Sequence, residues 1–119
     1  MELRFPHESE CTFSLSVEES DIPVRGNALS SGDDKEDERV ENEIIARLDD
    51  GDVWAWADVT VVCYWNGFTG TDSLGGCCYT DEADFRQPGG YFDDMKVSAH
   101  QNMCHKIEDS YRRMLPLLK

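Results

Sequence analysis

The sequence predicts a single α+β domain with the element order β-α-β-β-α, in which a three-stranded antiparallel sheet carries both helices packed on one face. Two segments have the apolar spacing of helices, and an alternating segment between them ends at Asn66-Gly67, the sequence typical of a tight hairpin turn. The 119 residues suit one domain. Two layers bury the apolar side of every element. We assign residues 1–119 to this domain and expect residues 1–10 to be flexible.

The first strand and the first helix are predicted by alternation and by end signals. Cys11–Glu18 alternates apolar and small polar residues, which is typical of a half-buried strand. The helix is predicted over Asp33–Asp50, with Asp33 and Glu36 as a capping box and Gly51 as the residue after the C-cap. Its apolar stripe comprises Val40, Ile44, Ile45 and Leu48.

The second half of the chain predicts a hairpin and a long helix. Val53–Trp65 alternates throughout, and Phe68–Tyr79 is expected to return antiparallel to it. A short turn over Asp81–Phe85 is predicted with Thr80 as its cap, and a helix is predicted over Tyr91–Leu115. Pro116 ends that helix. The sheet face away from the helices is expected to expose some of its aromatic residues unless the N-terminal loop covers that face: Trp54, Trp56, Tyr64 and Tyr79.

The charge is the most informative feature for function. Acidic residues outnumber basic residues 25 to 11, and the formal net charge is −14. The chain before Tyr91 has a net charge of −15, whereas the rest has +1. Between Asp33 and Asp52 there are ten acidic residues and three basic ones. Such a field repels nucleic acid and anionic membranes and attracts basic surfaces.

Part of this acidic cluster is expected to be neutralised within the first helix. Lys35, Arg39, Glu43 and Arg47 follow one another at four-residue spacing, which pairs opposite charges on a solvated face. The remaining carboxylates then lie along the helix edges and at both ends. Carboxylates three or four residues apart are about 5–6 Å apart, a spacing comparable with that of phosphates along a nucleic-acid strand.

The N-terminal sequence and the cysteines predict a compartment. The first residues lack the apolar segment of a signal peptide, and no apolar run approaches the ~18 residues of a membrane span. Five cysteines are an odd number, and a reducing cytosol keeps thiols free. We therefore expect a cytoplasmic protein with five free thiols.

A metal-binding or thiol protein is the chemical alternative. His100 and Cys104 are four residues apart on the predicted helix, and Cys77 and Cys78 provide further ligands or a nucleophile. Adjacent cysteines in a strand point to opposite faces, however, and the helical pair flanks the apolar stripe, where core residues belong. We expect no metal, no cofactor and no enzymatic activity.

Four sequence blocks resemble small hypothetical proteins of bacteriophages and prophages. The blocks are Ile22–Ala28 (IPVRGNA), Gly51–Ala57 (GDVWAWA), Asp72–Cys77 (DSLGGC) and Pro88–Met95 (PGGYFDDM). The resemblance implies an accessory phage gene product acting in the bacterial host cell. Phage proteins of this size and charge are often anti-defence proteins, and acidic anti-CRISPR proteins imitate nucleic acid. The resemblance implies no catalytic residues.

The leading hypothesis is therefore an anti-CRISPR protein whose acidic, DNA-mimicking surface binds a CRISPR effector or nuclease and excludes nucleic acid. The partner is expected to be a basic nucleic-acid-binding protein, with no direct binding to nucleic acid or membranes. Candidate contacts are Asp34, Glu38, Glu41, Asp49, Asp50 and Asp52, with Trp54 and Trp56 as aromatic anchors. The second alternative is a phage accessory or structural protein that self-associates through the aromatic sheet face.

Overall fold

The computed structural model describes residues 3–118 and confirms the predicted α+β fold. Three strands form an open antiparallel sheet in the order β1-β2-β3. The strands are β1 (Thr12–Glu19), β2 (Ala57–Trp65) and β3 (Phe68–Cys77), and the α-helices are α1 (Asp34–Asp49), α2 (Glu82–Phe85) and α3 (Tyr91–Met114). Short 3-10 helices lie at Glu8–Glu10, Val53–Ala55 and Leu115–Leu117.

Two turn predictions are confirmed by the backbone geometry. Asn66 and Gly67 both have positive φ angles, 47° and 85°, as the two central residues of a type I′ hairpin turn require. Gly51, with a φ of 85°, ends α1. Its N–H donates to the Leu48 carbonyl at 2.9 Å, while the Asp52 N–H donates to the Arg47 carbonyl at 3.0 Å. This Schellman pair satisfies carbonyls that the end of α1 would otherwise leave unpaired.

Two local predictions are wrong, and in each case an aspartate side chain forms a capping hydrogen bond that the prediction did not include. The strand predicted from Val53 begins at Ala57, since Asp52 accepts a hydrogen bond from the Trp54 N–H at 3.2 Å and starts a 3-10 turn. Asp81, not Thr80, caps α2 and accepts from the Asp84 N–H at 2.8 Å. Short aspartate side chains favour such caps over continuation of a strand.

The contacts group the described residues into two compact units. Unit 1 contains residues 3–15, 60–72 and 88–118. Within it, α3 buries Phe92, Met95, Ala99, Met103 and Ile107, whereas Met114 at its C-terminal end is exposed. A Cβ atom on Gly70 would lie 2.2 Å from the Ala99 carbonyl oxygen and 2.3 Å from the Met103 nitrogen, so α3 packs directly on the backbone of β3.

Unit 2 contains residues 16–59 and 73–87. Its core joins Ile44 of α1 to Ala55 and Trp56, beside the turn that precedes β2. The indole N–H of Trp56 donates to the Ile22 carbonyl at 2.7 Å, which fixes the loop after β1 over this tryptophan. The half-buried apolar residues packed around the core are Val24, Ala28, Val40 and Leu48.

Candidate functional site

Three predicted contact residues share one edge of α1. Asp34, Glu38 and Asp49 are exposed, and the 3.6-residue period places them on the same flank of the helix. None has an ion pair within residues 3–118. At a 1.5 Å rise per residue, this edge is about 22 Å long. It is not a uniform row of charge, because Asn42 and Ile45 occupy the same flank between Glu38 and Asp49.

The opposite side of α1 carries a neutralised network. Arg39 bonds Glu36 of the preceding turn, and its Nη1 lies 2.6 Å from Glu43 Oε1. The hydrogen bond from Arg39 lowers the pKa of Glu36 below its ordinary value. Of the predicted neutralisation, the pairing of Arg39 with Glu43 is therefore confirmed, whereas Arg47 pairs with Asp52 instead. The edge of Asp34 and Glu38 has no ion pair among the residues described.

The C-terminal end of α1 concentrates acidic residues where the helix disfavours them. Asp49 and Asp50 are exposed at the end that carries the partial negative charge of the helix dipole. Arg47, in the same turn, is engaged elsewhere: its Nε donates to Asp52 at 2.8 Å and its Nη2 to the Tyr79 carbonyl at 2.7 Å. Among the described residues, Arg47 thus has no ion pair with Asp49 or Asp50.

We expect the double change Asp49→Asn and Asp50→Asn to stabilise the protein. Removing two negative charges from the negative end of a helix dipole is worth about 0.3–1 kcal/mol for each charge. Urea unfolding should show a higher midpoint with an unchanged slope. The control is Asp34→Asn, which removes a favourable charge from the first turn and should lower stability. A lower midpoint for the double variant would contradict this assignment of the helix end.

The structure adds Glu19 to the acidic end of α1, a residue that sequence analysis missed. Glu19 and Asp52 line a shallow pocket of about 100 Å³ together with Leu48, Gly51 and Val53. The Ser20 N–H donates to the Trp56 carbonyl at 3.0 Å, which holds the end of β1 beside the turn that follows α1. The predicted strand ended one residue early, at Glu18, and only the long-range pairing shows this proximity.

Glu41 is buried, which corrects its prediction as a surface contact. It is 8% exposed, and its carboxylate accepts a hydrogen bond from the Gly26 N–H at 2.6 Å. Arg25 Nη1 lies 3.4 Å from its other oxygen. A buried carboxylate requires such donors, so Glu41 anchors the loop after β1 instead of facing a partner.

The two tryptophans are also buried, which removes them from the candidate surface. Trp56 is 4% exposed, and Trp54, at 9%, packs on Tyr79 and Phe85 with ring centroids 6.4 and 5.4 Å away. Trp54 lies in the 3-10 turn Val53–Ala55, before β2 begins, so it does not take the position on the sheet face that a longer strand would give it. Of the four aromatic residues predicted on an exposed face, Tyr64 is exposed and Tyr79 is half-buried. Because both tryptophans are buried, they do not provide exposed anchors for self-association through the aromatic sheet face.

His100 and the cysteines other than Cys78 are buried or half-buried. Cys104 Sγ lies 3.7 Å from His100 Nε2, but that nitrogen also lies 2.7 Å from the Pro6 carbonyl oxygen. Burial raises the pKa of Cys77 and Cys104, and raises that of Cys63 to about 12. A raised pKa opposes thiolate formation and therefore nucleophilic chemistry.

All five cysteines are free thiols, and Cys78 is the exposed one. Within residues 3–118, no three His, Cys, Asp or Glu side chains are placed to hold one metal ion together. In the same residues, no helix combines the length and apolar character needed to cross a bilayer.

The candidate functional site is therefore the exposed acidic part of α1 and its C-terminal end: Asp34, Glu38, Asp49 and Asp50, with the half-exposed Asp52 and the exposed Glu19 beside them. We name this set the α1 acidic surface. No family model matches the chain, and neither a curated protein nor a solved structure shows significant similarity to it.

Proposed function

We propose that the protein is a phage anti-defence inhibitor that binds a basic, nucleic-acid-binding groove of a CRISPR effector complex through the α1 acidic surface. The observation that carries this proposal is the position of Asp49 and Asp50. Both are exposed, neither is paired among the described residues, and both lie where the helix dipole disfavours them. Residues that oppose local stability without a compensating contact are typical of functional surfaces.

The electrostatics set how such a surface acts. A net charge of −14 steers the protein toward a basic partner over roughly 8–10 Å, the screening length at physiological salt. Each exposed ion pair in the complex is worth only about 0.2–1 kcal/mol. Affinity therefore depends on several carboxylates acting together, and it falls steeply as salt increases.

The α1 acidic surface supports the sign and the location of the contact, whereas the type of target follows from the sequence resemblance. Lysine and arginine line the grooves that hold nucleic-acid backbones. An acidic helix edge about 22 Å long spans the length of several phosphates. The four resembling blocks direct the proposal to phage anti-defence proteins, and through them to CRISPR effectors acting in the bacterial cytoplasm.

The test is a competition assay with a purified CRISPR effector complex and its target duplex. The variant is Glu38→Lys, Asp49→Lys and Asp50→Lys, which spares Asp34 because a lysine in the first turn of α1 would destabilise the helix. We expect the parent protein to displace the duplex at low salt and the variant to lose displacement. Circular dichroism establishes that the variant remains folded.

A matched variant separates the α1 acidic surface from total charge. Glu8→Lys, Asp21→Lys and Glu43→Lys change the net charge by the same amount at exposed sites that do not belong to that surface. This control should keep most of the displacement activity. If the α1 variant is folded and inhibits as well as the parent, or if both variants lose activity equally, the proposed surface is wrong.

A further inference from the structure

The C-terminal part of α3 has a charge pattern that is its own complement. Residues 108–113 read Glu-Asp-Ser-Tyr-Arg-Arg, so the signs invert about the point between Ser110 and Tyr111. Within the chain, Arg112 lies 2.8 Å from Glu108, and Arg113 lies 2.5 Å from Asp109. The two arginine side chains are 72% and 78% exposed, so both remain accessible to another molecule.

This pattern has the symmetry that a two-fold contact requires. An isologous interface presents the same patch twice, so the patch must complement itself after rotation. Two α3 helices placed antiparallel about Ser110-Tyr111 would set Glu108 of one copy beside Arg112 of the other, along one edge of the contact. The same operation sets Asp109 beside Arg113 along the other edge, and like charges do not meet.

Apolar surface flanks the same helical turns. An open groove of about 640 Å³ is lined by Leu3, Phe5, Tyr111 and Leu115, with Glu108 and Arg112 at its edge. A second groove of about 290 Å³ lies one turn earlier and includes Phe5, Cys104 and His105. Beyond α3, Leu117 is 80% exposed and Leu118 is 53% exposed. A cluster of exposed apolar residues within a polar rim marks an interaction site.

We propose that the C-terminal part of α3 mediates a symmetric antiparallel dimer of this chain. The occupant is a second copy because the charge pattern complements itself. The residues from Tyr91 onward have a net charge of +1, whereas the preceding part has −15, so two copies approach with least repulsion here. In this register, Leu117 of one copy lies level with Cys104 of the other, beside the second groove.

Two charge variants of opposite sign test the dimer, first each alone and then in an equimolar mixture. Glu108→Arg with Asp109→Arg makes the patch wholly basic, and Arg112→Glu with Arg113→Glu makes it wholly acidic. Sedimentation velocity over a concentration series should show that the parent reaches twice the 13.5 kDa monomer mass. Each variant alone should remain a monomer, and an equimolar mixture should recover the dimer.

Two further variants identify the surface. Lys35→Glu with Arg39→Glu changes the net charge as the acidic variant does, but on α1, and should leave the dimer intact. Leu117→Asp alters an exposed side chain and should weaken dimerisation without unfolding the protein. A parent that stays monomeric at every concentration, or a mixture that fails to recover the dimer, would overturn the proposal. Neither readout depends on inhibition of an effector, so the dimer and the proposed function are tested separately.

Discussion

Replacing Gly70 with alanine is expected to cost at least about 3 kcal/mol of the free energy of unfolding, toward the upper end of the effects of overpacking. The added Cβ would lie 2.2 Å from the Ala99 carbonyl oxygen, 2.3 Å from the Met103 nitrogen and 2.8 Å from the Met103 Cα. These atoms all belong to the backbone of α3, so no side-chain rotation relieves the clash. Helix and strand would have to separate, which loosens the buried contacts of Met103.

Gly75→Ala is the matched control for this prediction. It lies in the same strand, and its added Cβ would meet only the ends of the Asp58 and Ile22 side chains, each at 3.2 Å. Flexible side chains can yield, so the expected loss is smaller. Urea unfolding with intrinsic tryptophan fluorescence measures both variants. Equal losses at Gly70 and Gly75 would show that α3 does not pack directly on β3.

Ile44→Ala is expected to lower the free energy of unfolding by about 2–5 kcal/mol. Ile44 is 4% exposed and packs in the core with Ala55 and Trp56. The substitution leaves a cavity between α1 and the turn before β2. Alanine has the higher helix propensity, but that gain is well below 1 kcal/mol and cannot offset the cavity.

Ile45→Ala provides the comparison, since it deletes the same atoms from the next residue of the same helix. Ile45 is half-buried, so the lost transfer energy and the cavity are both smaller. Chemical denaturation should therefore rank the parent first, Ile45→Ala second and Ile44→Ala third. A loss below about half a kcal/mol at Ile44 would mean that this side of α1 does not face the core.

The elements could be predicted from the sequence because their signals are local. The sequence predicts α3 from Tyr91, Pro116 places its end within one residue of Met114, and Gly51 marks the end of α1. The predicted start of β2, at Val53, was wrong because Asp52 caps a 3-10 turn there. The capping preference of aspartate competes with the apolar alternation that continues through Val53. Alternation shows where a strand is compatible with the sequence, but a capping hydrogen bond decides where it begins.

The candidate site was predicted in part. Asp34, Glu38, Asp49 and Asp50 are exposed as expected, because solvation is the default for a carboxylate. Glu41 differs because the Gly26 amide and Arg25 reach it from a loop 15 and 16 residues away. Its position three residues before Ile44 places it on the buried side of α1, so helical periodicity alone indicated that its side chain points inward. The donors that stabilise it there come from tertiary structure, which the sequence does not show.

The packing of α3 on Gly70 has a consequence for the newly made chain. Several contacts of unit 1 join distant residues: His100 meets the Pro6 carbonyl across 94 residues, and the Asn102 side chain accepts from the Thr71 N–H at 3.0 Å. Pairings between distant residues form late and slow folding. Until the ribosome has released α3, the apolar surface of β2 around Cys63 lacks the helix whose Met103 contacts it at 3.7 Å. During that interval, a chaperone or a neighbouring nascent chain competes with α3 for this surface.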